Sequence, residues 1–316
     1  MKERRAHALL SLLMALLLML GLCSCTSGGA AEQPIGESGE PTLGESAEPE
    51  SKLINDGGFL NALPFPEGPE ERPNSHYNGL SEKAQEKYRL NNDTIGWVEA
   101  PGTGISEQVM FYPDKNDKFY YLRKDFNEEY SFEGSYFADY RSSFEGGREG
   151  LSWNTIIYGH SMEDNPDGPL FSQLKKYRDP DFARENPYIY FSTLDEDMAW
   201  EVFAIFVSTT TLPYNQPDPS PELPPVKDKN TGEIRYLQDM DSILEEVRGR
   251  SIYHYNIEVG EEDRILTLST CIYQAEGRSL SYPNNYRYVV MAKLVPAEEE
   301  LKETTTFVEN DDIWAP

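Results

Sequence analysis

The chain has 316 residues and a formal charge of −27, from 28 Lys and Arg against 55 Asp and Glu. So acidic a chain argues against a nucleic-acid binder, which needs a basic stripe to neutralise phosphates, and against a polybasic membrane-surface module. Apolar residues make up 38% and aromatics 12%, enough for a real core, while three cysteines are too few for a disulfide scaffold and lack metal-finger spacing.

Lys2, Arg4 and Arg5 open the chain, and an apolar run over 8–22 follows, broken only by Ser11 and Gly21. At roughly 15 residues the run is short for a bilayer span, which favours an export signal over a spanning helix. It ends in Leu22-Cys23-Ser24-Cys25, ahead of Thr26-Ser27-Gly28-Gly29. This resembles a bacterial lipobox and makes Cys25 the lipidation candidate. An uncleaved membrane anchor is the alternative, with both cysteines then plain small apolar residues. Residues 1–25 are therefore read as signal peptide or anchor. Residues 26–76 are rich in Gly, Pro, Ser and Glu, with almost no aromatics. Such a segment buries too little apolar surface to offset its chain entropy, and it reads as a disordered acidic linker.

One domain is expected over 77–296. A helix over 81–90 starts at Ser81 as cap and stops at Asn91-Asn92-Asp93. Short strands follow at 94–99 and 107–112 around a Pro101-Gly102-Thr103-Gly104 turn, then at 134–138 and 155–158. A short helix over 170–177 ends at Asp179-Pro180, and strands return at 189–192 and 200–208. Residues 209–232, rich in proline and polar groups, read as a surface insertion, longer than loops usually are without a role. An amphipathic helix over 239–250 carries Met240, Ile243, Leu244 and Val247 on one face. A strand over 251–259 holds His254, and strands over 264–271 and 287–295 close the domain. The acidic tail 297–316 is expected to fray. Many short strands with a few outer helices predict a mostly antiparallel barrel or sandwich.

With Cys23 and Cys25 assigned to the leader, Cys271 is the one remaining cysteine. Alternation in Ile265-Leu266-Thr267-Leu268-Ser269-Thr270-Cys271 puts Leu266 and Leu268 on the core face and the thiol at a strand end on the more polar face. An inert buried cysteine is the plain alternative. Of four histidines, His7 lies in the leader, His76 at the linker margin, and His254 reads as an ordinary surface or packing residue. His160 follows the β-branched strand Asn154-Thr155-Ile156-Ile157-Tyr158 and Gly159, which holds it at a strand rim. A thiol and an imidazole brought together there can exchange a proton with a leaving amine. A tetrahedral oxyanion also needs a donor. Arg287 opens the last strand and meets Cys271 if the two strands pair as a hairpin; Arg278, in the connecting loop, is its rival.

Three motifs in this order resemble the sortase family, most closely its class B: Thr267-Leu268-Ser269-Thr270-Cys271, the upstream strand running into Gly159-His160, and Arg287-Tyr288-Val289-Val290 downstream. Supporting stretches are Asp93-Thr94-Ile95-Gly96-Trp97-Val98, Gly134-Ser135-Tyr136-Phe137-Ala138-Asp139-Tyr140-Arg141 and Pro169-Leu170-Phe171-Ser172-Gln173-Leu174. The resemblance spans about 80–295. It implies a closed eight-stranded β-barrel with peripheral helices, preceded by the disordered tether. It implies a cysteine transpeptidase that cleaves a C-terminal sorting signal of surface proteins or pilins at a Thr-Gly or similar bond and passes the acyl group to an amine of peptidoglycan or a pilin. By resemblance Cys271 is the nucleophile, His160 the general acid/base and Arg287 the oxyanion and substrate donor, preferred over Arg278 because it begins the matching strand. Ser269 and Thr270 line the groove. No cofactor and no metal are implied, and a monomer at the outer face of a bacterial membrane is expected.

The residues leave open an exported cysteine hydrolase, in which water takes the acyl group, and a non-catalytic surface lipoprotein acting as a binding module. A nucleophilic thiol in so acidic a chain depends on cationic neighbours. Turnover is therefore expected to be slow with a bell-shaped pH dependence, and a rate that stays flat from about pH 5 to 9 would contradict it.

Overall fold

The computed structural model describes residues 76–209, 215–220, 225–227, 232, 234–275, 278–279 and 286–314. The leader with Cys25, the linker up to residue 75, and parts of the 209–232 insertion lie outside the described residues.

Eight strands close a barrel: β1 (Thr94–Ala100), β2 (Ile105–Met110), β3 (Tyr136–Ala138), β4 (Asn154–Tyr158), β5 (Tyr188–Thr193), β6 (Ala199–Thr209), β7 (Ile265–Cys271) and β8 (Tyr286–Leu294), in the order β1-β2-β3-β4-β7-β8-β6-β5. Closure removes the open edges that a sheet of short strands would otherwise expose. The barrel is mixed. β7 runs parallel to β4 and antiparallel to β8, and β2 runs parallel to β3.

Side-chain alternation divides the core in two. Leu266, Leu268, Ile157, Val202, Ile205 and Val290 belong to the barrel interior. Ile265, Val289, Met291, Phe203 and Phe206 face the other way and pack with Ile243, Leu244 and Val247 of helix α3 (Met240–Arg250). β6 is therefore buried on both faces, which is why its stretch over 202–207 is an unbroken apolar run rather than an alternating one. Asp239, read as the first residue of this helix, is instead its cap: its carboxylate accepts the Ser242 N–H at 2.9 Å and Ser242 closes a capping box. Burial of the three α3 side chains stabilises the packing by at most about 1.5–3 kcal/mol each.

Several expectations change. Helix α1 spans Leu80–Tyr88, and Ser81 is not its cap. Gly79 holds that position in a left-handed conformation (φ 74°), and the orphan amides are met from a distance. The Asp197 carboxylate accepts N–H bonds from Asn78, Gly79 and Ser81 at 2.9, 2.7 and 2.8 Å. The buried face of α1 is Leu80 and Ala84, whereas Leu90 is exposed. The 170–177 helix is 3-10 in form (Leu170–Arg178). Asp179-Pro180 ends it and also starts helix α2 (Pro180–Glu185), with Asp179 accepting the Asp181 N–H, because Pro at N1 suits a helix start.

The 251–259 strand shrinks to Tyr253–Tyr255, with His254 exposed. The acidic tail is docked rather than frayed. Phe307–Glu309 pairs with Tyr253–Tyr255, Phe307 stacks on Tyr253 at 4.3 Å, and Trp314 N–H donates to the Gly249 carbonyl. Aromatic burial outweighs the charge of the tail. His76, read as linker, is 2% exposed and donates from Nε2 to the Glu299 carbonyl at 2.7 Å.

Replacing Asp197 with Ala returns three helix-start amides to water. Urea unfolding is expected to show a loss of about 1–2 kcal/mol, with Asp197→Asn losing less.

Candidate active site

The rim where β4 and β7 end and β8 begins is built by strand register. Cys271 lies directly opposite Arg287 in the antiparallel ladder, so the two side chains leave the sheet on one face. This is the hairpin juxtaposition expected from sequence. The backbone of Arg278 belongs instead to a separate two-stranded hairpin of Gln274–Ala275 with Arg278–Ser279.

On the other side of β7, the parallel ladder with β4 ends at Ser269 and Tyr158. It is extended by Gly159 N–H donating to the Ser269 carbonyl at 3.3 Å and by Thr270 Oγ1 donating to the Gly159 carbonyl at 2.7 Å. These contacts set His160 beside the end of β7. Gly159 is required by packing: a Cβ there would lie 2.6 Å from the Phe171 ring and 2.7 Å from the Tyr136 ring, two rings stacked at 4.5 Å.

The imidazole is fixed by Nε2 at 2.9 Å from the Leu122 carbonyl. A carbonyl only accepts, so Nε2 carries the proton in the neutral ring and Nδ1 is the accepting nitrogen. Burial pushes the His160 pKa below the ordinary histidine value; the Leu122 carbonyl opposes the shift, and the charges of Arg123 and Arg287 reinforce it. The guanidinium of Arg287, which donates to the Tyr286 carbonyl at 2.9 Å, therefore lies close enough to act on the imidazole. Cys271 is a free, partly exposed thiol. Its ionised form acts on Tyr273, whose pKa is raised first by burial and which also feels Arg123 and Arg287. Sulfur, imidazole and two guanidinium groups thus share one electrostatic neighbourhood within an acidic chain.

Ser269 and Thr270 are buried, 1% and 2% exposed. The Thr270 hydroxyl is engaged by Gly159, and Ser269 Oγ lacks a hydrogen-bond partner. The described part of the 209–232 insertion is strapped to β4 and the β3–β4 connection. Asn154 N–H donates to the Pro217 carbonyl at 2.8 Å. Arg141 reaches Gln216 Oε1 at 2.6 Å and the Asn215 carbonyl at 2.8 Å, while bonded to Asp139.

Sequence reasoning missed Arg123, Asp164, Lys175 and Tyr273. Lys175 carried a signal. With the α-helical spacing the sequence suggests, it lies one turn from Phe171 among the apolar positions, where a solvent-seeking lysine is out of place. Arg123 and the Leu122 carbonyl lie in the long connection between β2 and β3, and no periodicity marks them.

The sortase family model matches residues 127–295. The chain is 31% identical over 192 residues to sortase B of Listeria monocytogenes, covering 61% of this chain and 68% of that protein. It is 28% identical over 207 residues to sortase B of Staphylococcus aureus, covering 66% and 72%. The solved Staphylococcus aureus sortase B-substrate complex superposes with a TM-score of 0.52 at 27% identity, over 68% of this chain and 86% of that one. A sortase B complexed with triglycine gives 0.50 at 26%, over 68% and 86%. The barrel and the motif order define a sortase-type cysteine transpeptidase. This chain belongs to the sortase family, and the relatives named here are sortases B.

The depressed His160 pKa has a consequence for stability. Between the folded value and about 6.5 the unfolded chain holds a proton that the folded one lacks, so stability rises with pH across that window and is lost as pH falls through it. Denaturant unfolding at about pH 7 and pH 5 should show a larger acid loss in the natural protein than in His160→Gln. Equal losses in the two would contradict the burial argument.

Proposed function

We propose that this transpeptidase cleaves a C-terminal sorting signal of surface proteins or pilins and transfers the acyl group to an amine of peptidoglycan or of a pilin. The observation that carries the site assignment is the register pairing Cys271 with Arg287, at the rim where His160 follows the parallel neighbour strand.

In this reading the Cys271 thiolate attacks the scissile carbonyl. The C–S bond forms and Arg287 donates to the oxyanion. The C–N bond then breaks, and the leaving amine takes a proton from His160. The acceptor amine next attacks the thioester, gives its proton back to His160 and releases the thiolate. The lowered His160 pKa disfavours the protonated imidazole that the leaving amine requires. Ser269 and Thr270, expected to line the groove, are buried and in this reading support its floor from behind rather than touch the signal. The 209–232 insertion leaves its strand beside Tyr286, next to Arg287, and in this reading influences the choice of signal.

The reading extends to the N-terminus. Residues 1–25 serve as signal or anchor, with Cys25 as lipidation candidate, and the linker before His76 as tether, so that the catalytic domain works at the cell surface. Among the described residues no helix is long and apolar enough to cross a membrane.

The solved relatives named above with a substrate and with triglycine suggest the assay: a quenched-fluorophore peptide library with Thr before the scissile bond, incubated with and without triglycine and read by mass spectrometry. A triglycine-ligated product and a thioester adduct are expected, both absent in Cys271→Ala. Arg287→Ala should lower kcat by about 10²–10³-fold. Cleavage with no triglycine-dependent product would instead mark a hydrolase.

A further inference from the structure

A lysine ammonium is seldom taken out of water without compensation. Lys175 is 3% exposed. Its ammonium lies 3.0 Å from Asp164 Oδ1, donates to the Glu163 carbonyl at 2.8 Å and donates to Ser161 Oγ. Burial pulls the ammonium pKa down, while the Asp164 bond and charge hold it up.

The same carboxylate has a second duty. Both Asp164 oxygens accept the backbone N–H of Tyr273, at 3.1 and 3.0 Å. The Tyr273 phenol donates to the Ser161 carbonyl at 3.0 Å. Ser161 is the residue after His160, and Tyr273 lies two residues past Cys271. The chain leaving β4 and the chain leaving β7 are therefore bonded to each other beyond the point where the barrel ladder has ended. Ser172 Oγ adds a bond to Ser161 Oγ at 3.2 Å, and Phe171 N–H donates to the His160 carbonyl at 3.0 Å. The helix that carries Lys175 thus grips the His160 segment as well. Arg178 and Cys271 both lie close enough to act on the Lys175 ammonium.

We propose that Asp164, held in place by the buried Lys175, is a positioning residue for acyl transfer: it clasps the chain past Cys271 to the chain past His160 and so sets the placement of thiol against imidazole. The proposal rests on the assignment of Cys271 and His160 as the reacting pair.

The test uses the folded protein and three readouts: kcat and KM for triglycine-dependent ligation, the NMR titration of the His160 ring (assigned against His160→Gln), and the melting temperature. Asp164→Ala is expected to lower kcat by about 10²-fold, as a misplacement near 1 Å does, with KM within about threefold. The His160 titration should move up toward the ordinary histidine value as the loosened loop admits water. Asp164→Asn, which keeps an oxygen for the Tyr273 N–H, should recover most of both. If Asp164→Ala lowers only the melting temperature and leaves kcat and the His160 titration unchanged, the proposal is overturned and the pair only stabilises the fold.

If Asp164→Ala does not fold, Lys175→Met takes away the group that holds Asp164 and leaves the carboxylate in the chain. It should lower kcat and move the His160 titration in the same direction, and a folded Lys175→Met unchanged in both overturns the proposal. If the natural protein gives no triglycine product, the transpeptidase reading fails on its own, and the His160 titration still decides the positioning claim.

Discussion

Everything at the rim depends on the way β7 is hydrogen-bonded on both sides, parallel to β4 and antiparallel to β8. A strand so placed brings its own C-terminus to the C-terminus of one neighbour and the N-terminus of the other. Three segments distant in sequence therefore meet at one level without any loop having to fold back. The register is hard to change. A one-residue slip of β7 would turn Leu266 and Leu268 out of the barrel and put Ile265 and Thr267 in their place. The apolar pattern that builds the core is thus the same constraint that aims the thiol.

The barrel supports this by being layered on two sides. β6 and β8 are covered inside by the barrel core and outside by α3, so the strands that hold β7 cannot shift without disturbing two packed layers. Local electrostatics run against the acidic whole. Arg123, Arg287, Lys175 and Arg178 gather around the rim, and Asp164 is the carboxylate found among them with specific partners for its oxygens. A negative surface and a cationic mouth are compatible because screening confines the influence of exposed charges to within about 10 Å, whereas the partly buried groups at the rim interact directly.

What could be read from sequence follows the same physics. The succession of strands along the chain, the apolar face of α3, the face of Cys271 and the meeting with Arg287 all came from short-range alternation and turn chemistry, which a single chain displays openly. Capping of α1 by Asp197 was not legible, because the cap comes from more than a hundred positions away and Ser81 offered a nearer substitute. The docked tail was hidden for a similar reason. Its acidic composition dominates any window, and only the stacking of Phe307 on Tyr253 explains why it stays. Asp164 and Tyr273 gave no pattern at all, since their relation exists only once the two strand ends have been brought together.

The seat of His76 carries a mechanical implication. Its partner Glu299 comes after the far end of β8, whereas Arg287 marks the near end. The nine residues of β8 separate these points by on the order of 30 Å. A pull transmitted through the preceding chain is therefore delivered to the base of the domain, next to the turn that follows β8. It would work first on the His76 imidazole and the capped start of α1, ahead of the ladder around β7.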